Sequence, residues 1–166
     1  MVMRKTLLLM IVTLFSASAS GREFVQTGSS MEPTIKDGQK IEVGILSSFS
    51  YDPKRWDLVA LKNPQDFNLL VFRIIGLPNE TIRLEKEGIH INDEMIKIPM
   101  ELVQAGVYYW PASAITNNEN YSDNLYRTKE GEYFLLGDNT LNANDSRFQL
   151  GIIHRDSILN KVEGSL

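Results

Sequence analysis

Thr27-Gly28-Ser29-Ser30-Met31-Glu32-Pro33-Thr34 is a Gly/Ser turn running into a proline, and short strands lie on either side of it. Residues 23–26 lead into the turn. Lys36-Asp37-Gly38 is a second turn, and residues 40–43 alternate apolar and polar as a half-buried strand does. Residues 57–61 form a compact apolar strand closed by Asn63-Pro64. Residues 69–77 are the strongest strand, stopped by Gly76 and Pro78. Residues 81–85, 88–91 and 95–98 predict a meander with turns at Glu87-Gly88 and Asn92-Asp93. Residues 99–128 are polar, rich in Asn and Tyr, and read as an irregular insertion or long loop. Residues 132–136 make a strand that enters Gly137-Asp138-Asn139, and residues 152–162 hold a short strand or a helical turn. Many short strands with few helical periods give a mainly β domain.

The chain has 166 residues, enough for one domain with a real core. Its charged fraction of 23% and apolar fraction of 43% are ordinary for a globular protein. Net charge is −4 with no long basic run, which argues against nucleic acid as a partner. The absence of cysteine excludes disulfides and thiolate zinc sites without fixing the compartment. His90 and His154 lack metal-ligand spacing, so neither a metal nor a cofactor is expected.

The N-terminus sets the compartment. Arg4 and Lys5 precede the apolar run Thr6-Leu7-Leu8-Leu9-Met10-Ile11-Val12-Thr13-Leu14-Phe15, and Ser16-Ala17-Ser18-Ala19-Ser20 follows. A basic region, an apolar region and an Ala-x-Ala site in that order read as a secretory signal peptide. The rival is an uncleaved membrane anchor. The uncharged run from Thr6 to Gly21 spans roughly 24 Å as a helix, short of the ~30 Å hydrocarbon core, which favours cleavage. Both alternatives leave residues 1–21 as a targeting or anchoring segment and export a domain of residues 22–166, because Arg4 and Lys5 stay on the cytoplasmic side.

Serine is a poor nucleophile until a neighbouring base activates it. A Gly/Ser turn can hold the Ser30 hydroxyl clear of strand pairing and aim backbone N–H groups at a developing oxyanion. By local sequence alone, however, Ser30 is a turn serine. Asp138, Asp145 and Arg147 read in the same way as a brace, through Asx turns and an Asp–Arg ion pair.

Three segments in fixed order change the weight of Ser30. They are the stretch from Thr27 to Thr34, then Arg73-Ile74-Ile75-Gly76-Leu77-Pro78, then Gly137-Asp138-Asn139 through Asp145-Ser146-Arg147. Together they resemble the type I signal peptidase family, membrane-bound serine proteases that use a Ser/Lys dyad. The resemblance covers nearly all of the chain after residue 22 and implies a fold of coiled antiparallel sheets, preceded by an N-terminal apolar helix that the resemblance, against the length argument, favours as an uncleaved anchor. It implies Ser30 as nucleophile, with Gly28 and Ser29 in the oxyanion turn. Arg73, Asp138, Asn139, Asp145 and Arg147 become groups that support the site.

One position departs from the pattern. The family's lysine lies immediately before the Arg of the second segment, where this chain has Phe72, a side chain that accepts no proton. The family's serine that hydrogen-bonds the lysine amine is Ala143 here. Lys62, His90 and His154 are the other bases to weigh, and each reads better as an ordinary surface or core residue. Asn79-Glu80 replaces the usual Gly-Asp after Pro78, and Trp56 replaces a glycine before Asp57.

The resemblance therefore implies a signal peptidase I-type serine endopeptidase on the outer side of the membrane. It would cut exported precursors after small residues (Ala-x-Ala), with turnover impaired. The alternative is a pseudoprotease that binds signal-peptide-like segments without efficient cleavage and assists an active paralogue. Pilin-maturing proteases share the fold and also use a lysine. SOS-repressor autoproteases share it without an exported N-terminus.

Overall fold

A computed structural model describes residues 21–44, 51–63, 69–116 and 124–163. The N-terminal segment and its expected apolar helix lie outside these residues. The chain order is β1 (Arg22–Val25), β2 (Lys40–Val43), β3 (Leu58–Lys62), β4 (Leu69–Gly76), β5 (Thr81–Leu84), β6 (Ile89–Ile91) and β7 (Glu94–Ile96). Two short helices follow, α1 (Met100–Gln104) and α2 (Ala112–Ile115). Then come β8 (Leu125–Arg127), β9 (Glu132–Leu136), β10 (Ile153–His154), a 3-10 turn (Arg155–Ser157) and β11 (Ile158–Glu163). Among the described residues no helix is long and apolar enough to cross a membrane.

The strands form two antiparallel sheets, as the mainly β reading expects. The larger runs β1-β2-β11-β3-β4-β9-β10 and the smaller β7-β6-β5-β8. The last strand, β11, fills the gap between β2 and β3. It fits there because Ile158, Asn160 and Val162 are buried while Leu159, Lys161 and Glu163 point outward, the period-two pattern of a strand with one face in the core. The 152–162 end thus contains both elements the sequence allowed, a strand and a helical turn.

Residues 99–128 are where the structure departs from the sequence reading. They are no structureless insertion: α1 and α2 each start directly after a proline, and β8 pairs with β5 to complete the smaller sheet. Helices of five and four residues are too short to show a 3.6-residue period, so the polar composition hid them. The third meander strand also starts and ends earlier than expected, because Asn92 and Asp93 both take positive φ and turn the chain within two residues.

Strand β4 carries the core on both sides. Val71, Phe72 and Ile74 pack with Met31, Val59, Leu135 and Ala143 in one cluster. Ile75 packs with Ile82, Phe134 and Leu136 in the other, between the two sheets. Tyr51 and Lys161 fasten the loop ahead of β3 through Asp57, at 2.7 Å each. Burial pushes the Asp57 carboxyl up, but Lys161 and Tyr51 outweigh it and hold the group below the usual carboxylate range. A depressed carboxylate stabilises the fold above its unfolded pKa, near ~4, and that contribution is lost as pH falls through the folded value. Acid unfolding followed by tryptophan fluorescence is expected to steepen below pH ~4, and Asp57→Asn should weaken that dependence. An acid limb identical in both proteins would contradict this.

Candidate active site

The Ser30 turn leaves β1 and is held from two directions. Gly28 has φ +84, a left-handed conformation that glycine adopts at no steric cost, and its N–H donates to Asp37 Oδ1 at 2.8 Å. From the other side, the loop after β9 closes over the turn. Asn139 donates its backbone N–H to the Ser30 carbonyl and its Nδ2 to the Ser29 carbonyl, each at 3.0 Å. Asn142 donates from Nδ2 to Ser29 Oγ at 2.6 Å. The approach is close enough to require glycine at 137: a Cβ there would stand 2.6 Å from the Ser30 carbonyl oxygen and 2.4 Å from the Ala143 Cβ.

Ser30 and Phe72 line the same cavity, of about 430 Å³. Gly28 and Ser29 form its rim with Thr27. Leu70 and Phe72 enter from β4, Asn63 from the end of β3, and Asn142, Asn144, Gln149 and Leu150 from the loop after β9. Phe72 is buried and belongs to the main core cluster, and the neighbouring Arg73 points to the opposite face of β4. No Lys, His, Asp or Glu occurs among the described residues that line the cavity. Among the described residues no hydrogen bond forms to the Ser30 hydroxyl. Lys62 sits exposed at the end of β3, opposite Leu69, and does not line the cavity. His90 lies in the smaller sheet near Glu85, and His154 is exposed ahead of the 3-10 turn. The structure brings neither histidine to Ser30.

Asp138 is the hub behind the site. Arg73 grips its carboxylate with two bonds, Nε to Oδ1 at 2.8 Å and an NH2 nitrogen to Oδ2 at 2.6 Å. The Tyr109 hydroxyl donates to Oδ1 at 2.6 Å, and the Thr34 hydroxyl donates to Oδ2. Burial would lower the Arg73 guanidinium, but Asp138 outweighs it and holds the charge in place. Burial, then the Asp138 charge, pushes the Tyr109 phenol well up, so it stays a donor. One carboxylate therefore joins the Ser30 turn through Thr34, β4 through Arg73 and the segment between α1 and α2 through Tyr109. Trp56 stacks on Tyr109 with ring centroids 6.4 Å apart, and its own φ of +74 is one that side-chain-bearing residues rarely adopt.

Arg147 and Asp145 form a second fully buried pair, Nε to Oδ1 at 2.9 Å and an NH2 nitrogen to Oδ2 at 2.7 Å. Arg147 also donates to the Thr140 hydroxyl and carbonyl and to the Trp110 carbonyl, and Gly137 N–H donates to Asp145. These bonds fix the loop that covers Ser30. Thr34, Tyr109 and Thr140 escaped assignment from sequence. Thr34 stood in the quoted turn, but a hydroxyl gives no sign of its partner. Tyr109 lay in a stretch without periodicity.

Residues 1–166 match the family model described as Signal peptidase, peptidase S26. Signal peptidase I U of Bacillus subtilis is 30% identical over 144 residues, a match covering 83% of this chain and 71% of that protein. Signal peptidase I of Rickettsia typhi is 30% identical over 138 residues, covering 69% of this chain and 52% of the longer relative. A solved signal peptidase I from Enterococcus faecalis is 28% identical, overlaps 70% of this chain and 97% of that one, and superposes with a TM-score of 0.49. By the family model and the Bacillus relative, the chain belongs to the signal peptidase family, peptidase S26.

Proposed function

We propose that this chain is a signal peptidase I-type serine endopeptidase that takes signal-peptide-like segments of exported precursors into the Ser30 cavity and cuts after small residues with impaired turnover. Ser30 is the nucleophile, and Gly28 and Ser29 shape the turn whose backbone meets the oxyanion. Phe72 stands where the family's lysine base would stand, and Ala143 where that lysine's hydrogen-bond partner would. Arg73, Asp138, Asn139, Asp145 and Arg147 support the site without reacting. Residues 22–166 form the catalytic domain on the outer side of the membrane, with residues 1–21 as signal peptide or anchor.

The observation that carries this reading is one cavity holding both Ser30 and Phe72, with no titratable group among its described lining residues. In a well-studied serine protease, loss of the base costs about 10⁶ in turnover and leaves roughly 10³–10⁴ over water from binding and the oxyanion hole. The same observation favours the second reading, a pseudoprotease that binds precursor segments without cutting them. Incubating the full-length protein with an Ala-x-Ala precursor separates the two. Slow cleavage that Ser30→Ala abolishes is the expected result, and binding with no Ser30-dependent cleavage would replace the peptidase reading with the second.

Ser30→Ala is also expected to leave stability within about 0.5 kcal/mol of wild type, because the hydroxyl makes no bond that holds the turn. Urea unfolding of the two proteins checks this. A much lower midpoint for the variant would make Ser30 a structural residue.

A further inference from the structure

The Ser30 turn is held by its carbonyls. Gln26 is buried, and its Nε2 donates to the carbonyls of Thr27 and Gly28, at 3.3 Å each. Asn139 engages the next two: its Nδ2 donates to the Ser29 carbonyl and its backbone N–H to the Ser30 carbonyl, each at 3.0 Å. The Glu32 N–H adds a second bond to the Ser29 carbonyl at 3.1 Å, but Glu32 belongs to the same turn and moves with it. Asn139 ties the Ser29–Ser30 peptide to the loop after β9, which the buried Arg147–Asp145 pair fixes in turn. Four successive carbonyls are therefore engaged, while the Ser29 and Ser30 N–H groups have no acceptor among the described residues. A trans peptide is planar, so its N–H and its carbonyl point in opposite directions. Holding the Ser29 carbonyl toward Asn139 holds the Ser30 N–H away from it. Ser29 and Ser30 line the cavity and Asn139 does not, so the unengaged edge of this peptide is the one that faces the cavity.

We propose that Asn139 is a positioning residue that aims the Ser30 N–H at negative oxygen in the cavity, by clamping the Ser29 carbonyl from behind. That oxygen is the developing oxyanion of the scissile carbonyl during cleavage, and the C-terminal carboxylate of the released segment afterwards. This inference rests on reading the cavity as the peptidase site. The described lining residues offer negative oxygen no cation, so fixed N–H donors carry its stabilisation. A donor that is already aimed needs no reorganisation when the charge appears. Charge-assisted hydrogen bonds are roughly twice as strong as neutral ones, so the same N–H distinguishes a carboxylate from an amide.

Two measurements on full-length protein in detergent micelles test this. The first uses Ser30→Ala, which keeps the backbone N–H and does not cleave. The probe is a fluorescein-labelled peptide ending in Ala-Leu-Ala, made with a C-terminal carboxylate and with a C-terminal amide, and followed by anisotropy. The carboxylate form is expected to bind about tenfold more tightly. Adding Asn139→Ala should erase most of that ratio and leave the affinity of the amide form unchanged. The second measurement is cleavage of an Ala-x-Ala precursor. Asn139→Ala removes the Nδ2 bond but keeps the backbone bond to Ser30, so the maximal rate should fall about 10²-fold with the half-saturating precursor concentration unchanged. Should Asn139→Ala fail to fold, Asn139→Leu, closer to asparagine in size, takes its place. A merely structural role for Asn139 would weaken binding of the amide peptide and raise the half-saturating concentration, and that result would overturn the proposal. Equal affinity of Ser30→Ala for the two peptide forms would also overturn it. So would Ser30-dependent cleavage that the change at 139 leaves intact, an outcome under which the proposed function stands. If wild type does not cleave but the carboxylate form keeps an Asn139-dependent advantage, the peptidase reading falls and the aimed donor stands. If neither peptide binds, both fail.

Discussion

Replacing Arg147 by alanine is expected to destabilise the domain by about 3–5 kcal/mol, the range found when one partner of a buried ion pair is removed. Arg147 and Asp145 have fully buried side chains. Deleting the guanidinium leaves the Asp145 carboxylate in the core with only the Gly137 and Arg147 backbone N–H groups for partners. It also strips donors from the Thr140 and Trp110 carbonyls. The damage lands on the loop whose Asn139 and Asn142 hold the Ser30 turn, so the site should loosen even where the fold survives. Urea unfolding at neutral pH, with Ser30→Ala as the tolerant control, measures the difference. Equal midpoints for Arg147→Ala and Ser30→Ala would undo the reading of this loop as a brace.

The second large effect concerns Phe72. Phe72 belongs to the same core cluster as Met31 and Val59, stands opposite Val59 of β3, and borders the Ser30 cavity. A lysine placed there would have its stem in apolar surroundings, and desolvation would lower its pKa towards working pH, as burial does to lysines elsewhere. That is the state a general base requires. Ala143 is buried in the same cluster, and its Cβ lies close to the approach of Gly137 to Ser30. Ala143→Ser would add a hydroxyl able to fix the amine. Since the two new groups act as one unit, their combined effect should exceed the sum of the single effects. A positioned base contributes typically 10²–10⁴ in rate, and a gain of that order is expected for Phe72→Lys with Ala143→Ser.

Much of the scaffold was legible because alternation marks a strand with one buried face and a short apolar run marks one buried on both. The runs now seen as Lys40–Val43, Leu69–Gly76 and Glu132–Leu136 each carried their pattern in sequence, and each is a strand of the larger sheet. The segment 99–128 was illegible for a physical reason. Its helices are shorter than the period that would announce them, and β8 has three residues. Tyr109 was lost with it, although its hydroxyl completes the Asp138 hub. The Arg73–Asp138 pair could be guessed from two motifs, but Thr34 and Tyr109 join it across 104 and 29 residues of sequence, a distance no local pattern spans. Trp56 illustrates the opposite limit. Its replacement of a glycine was plain in the sequence, but the positive φ and the stacking on Tyr109 that tie it to the hub were not. The amide wall of the cavity was also invisible, because Asn142, Asn144 and Gln149 read as ordinary loop residues until the fold placed them opposite Leu70 and Phe72.

The most direct test is single-turnover cleavage of an Ala-x-Ala precursor by four full-length proteins: wild type, Phe72→Lys with Ala143→Ser, that double variant with Ser30→Ala, and Ser30→Ala alone. A missing base predicts slow cleavage by wild type, cleavage about 10²–10⁴ faster by the double variant, and no cleavage once Ser30 is replaced in either background. Fast cleavage by wild type that the double variant does not improve would contradict the account, because it would require a working base at Ser30 other than the one Phe72 displaces.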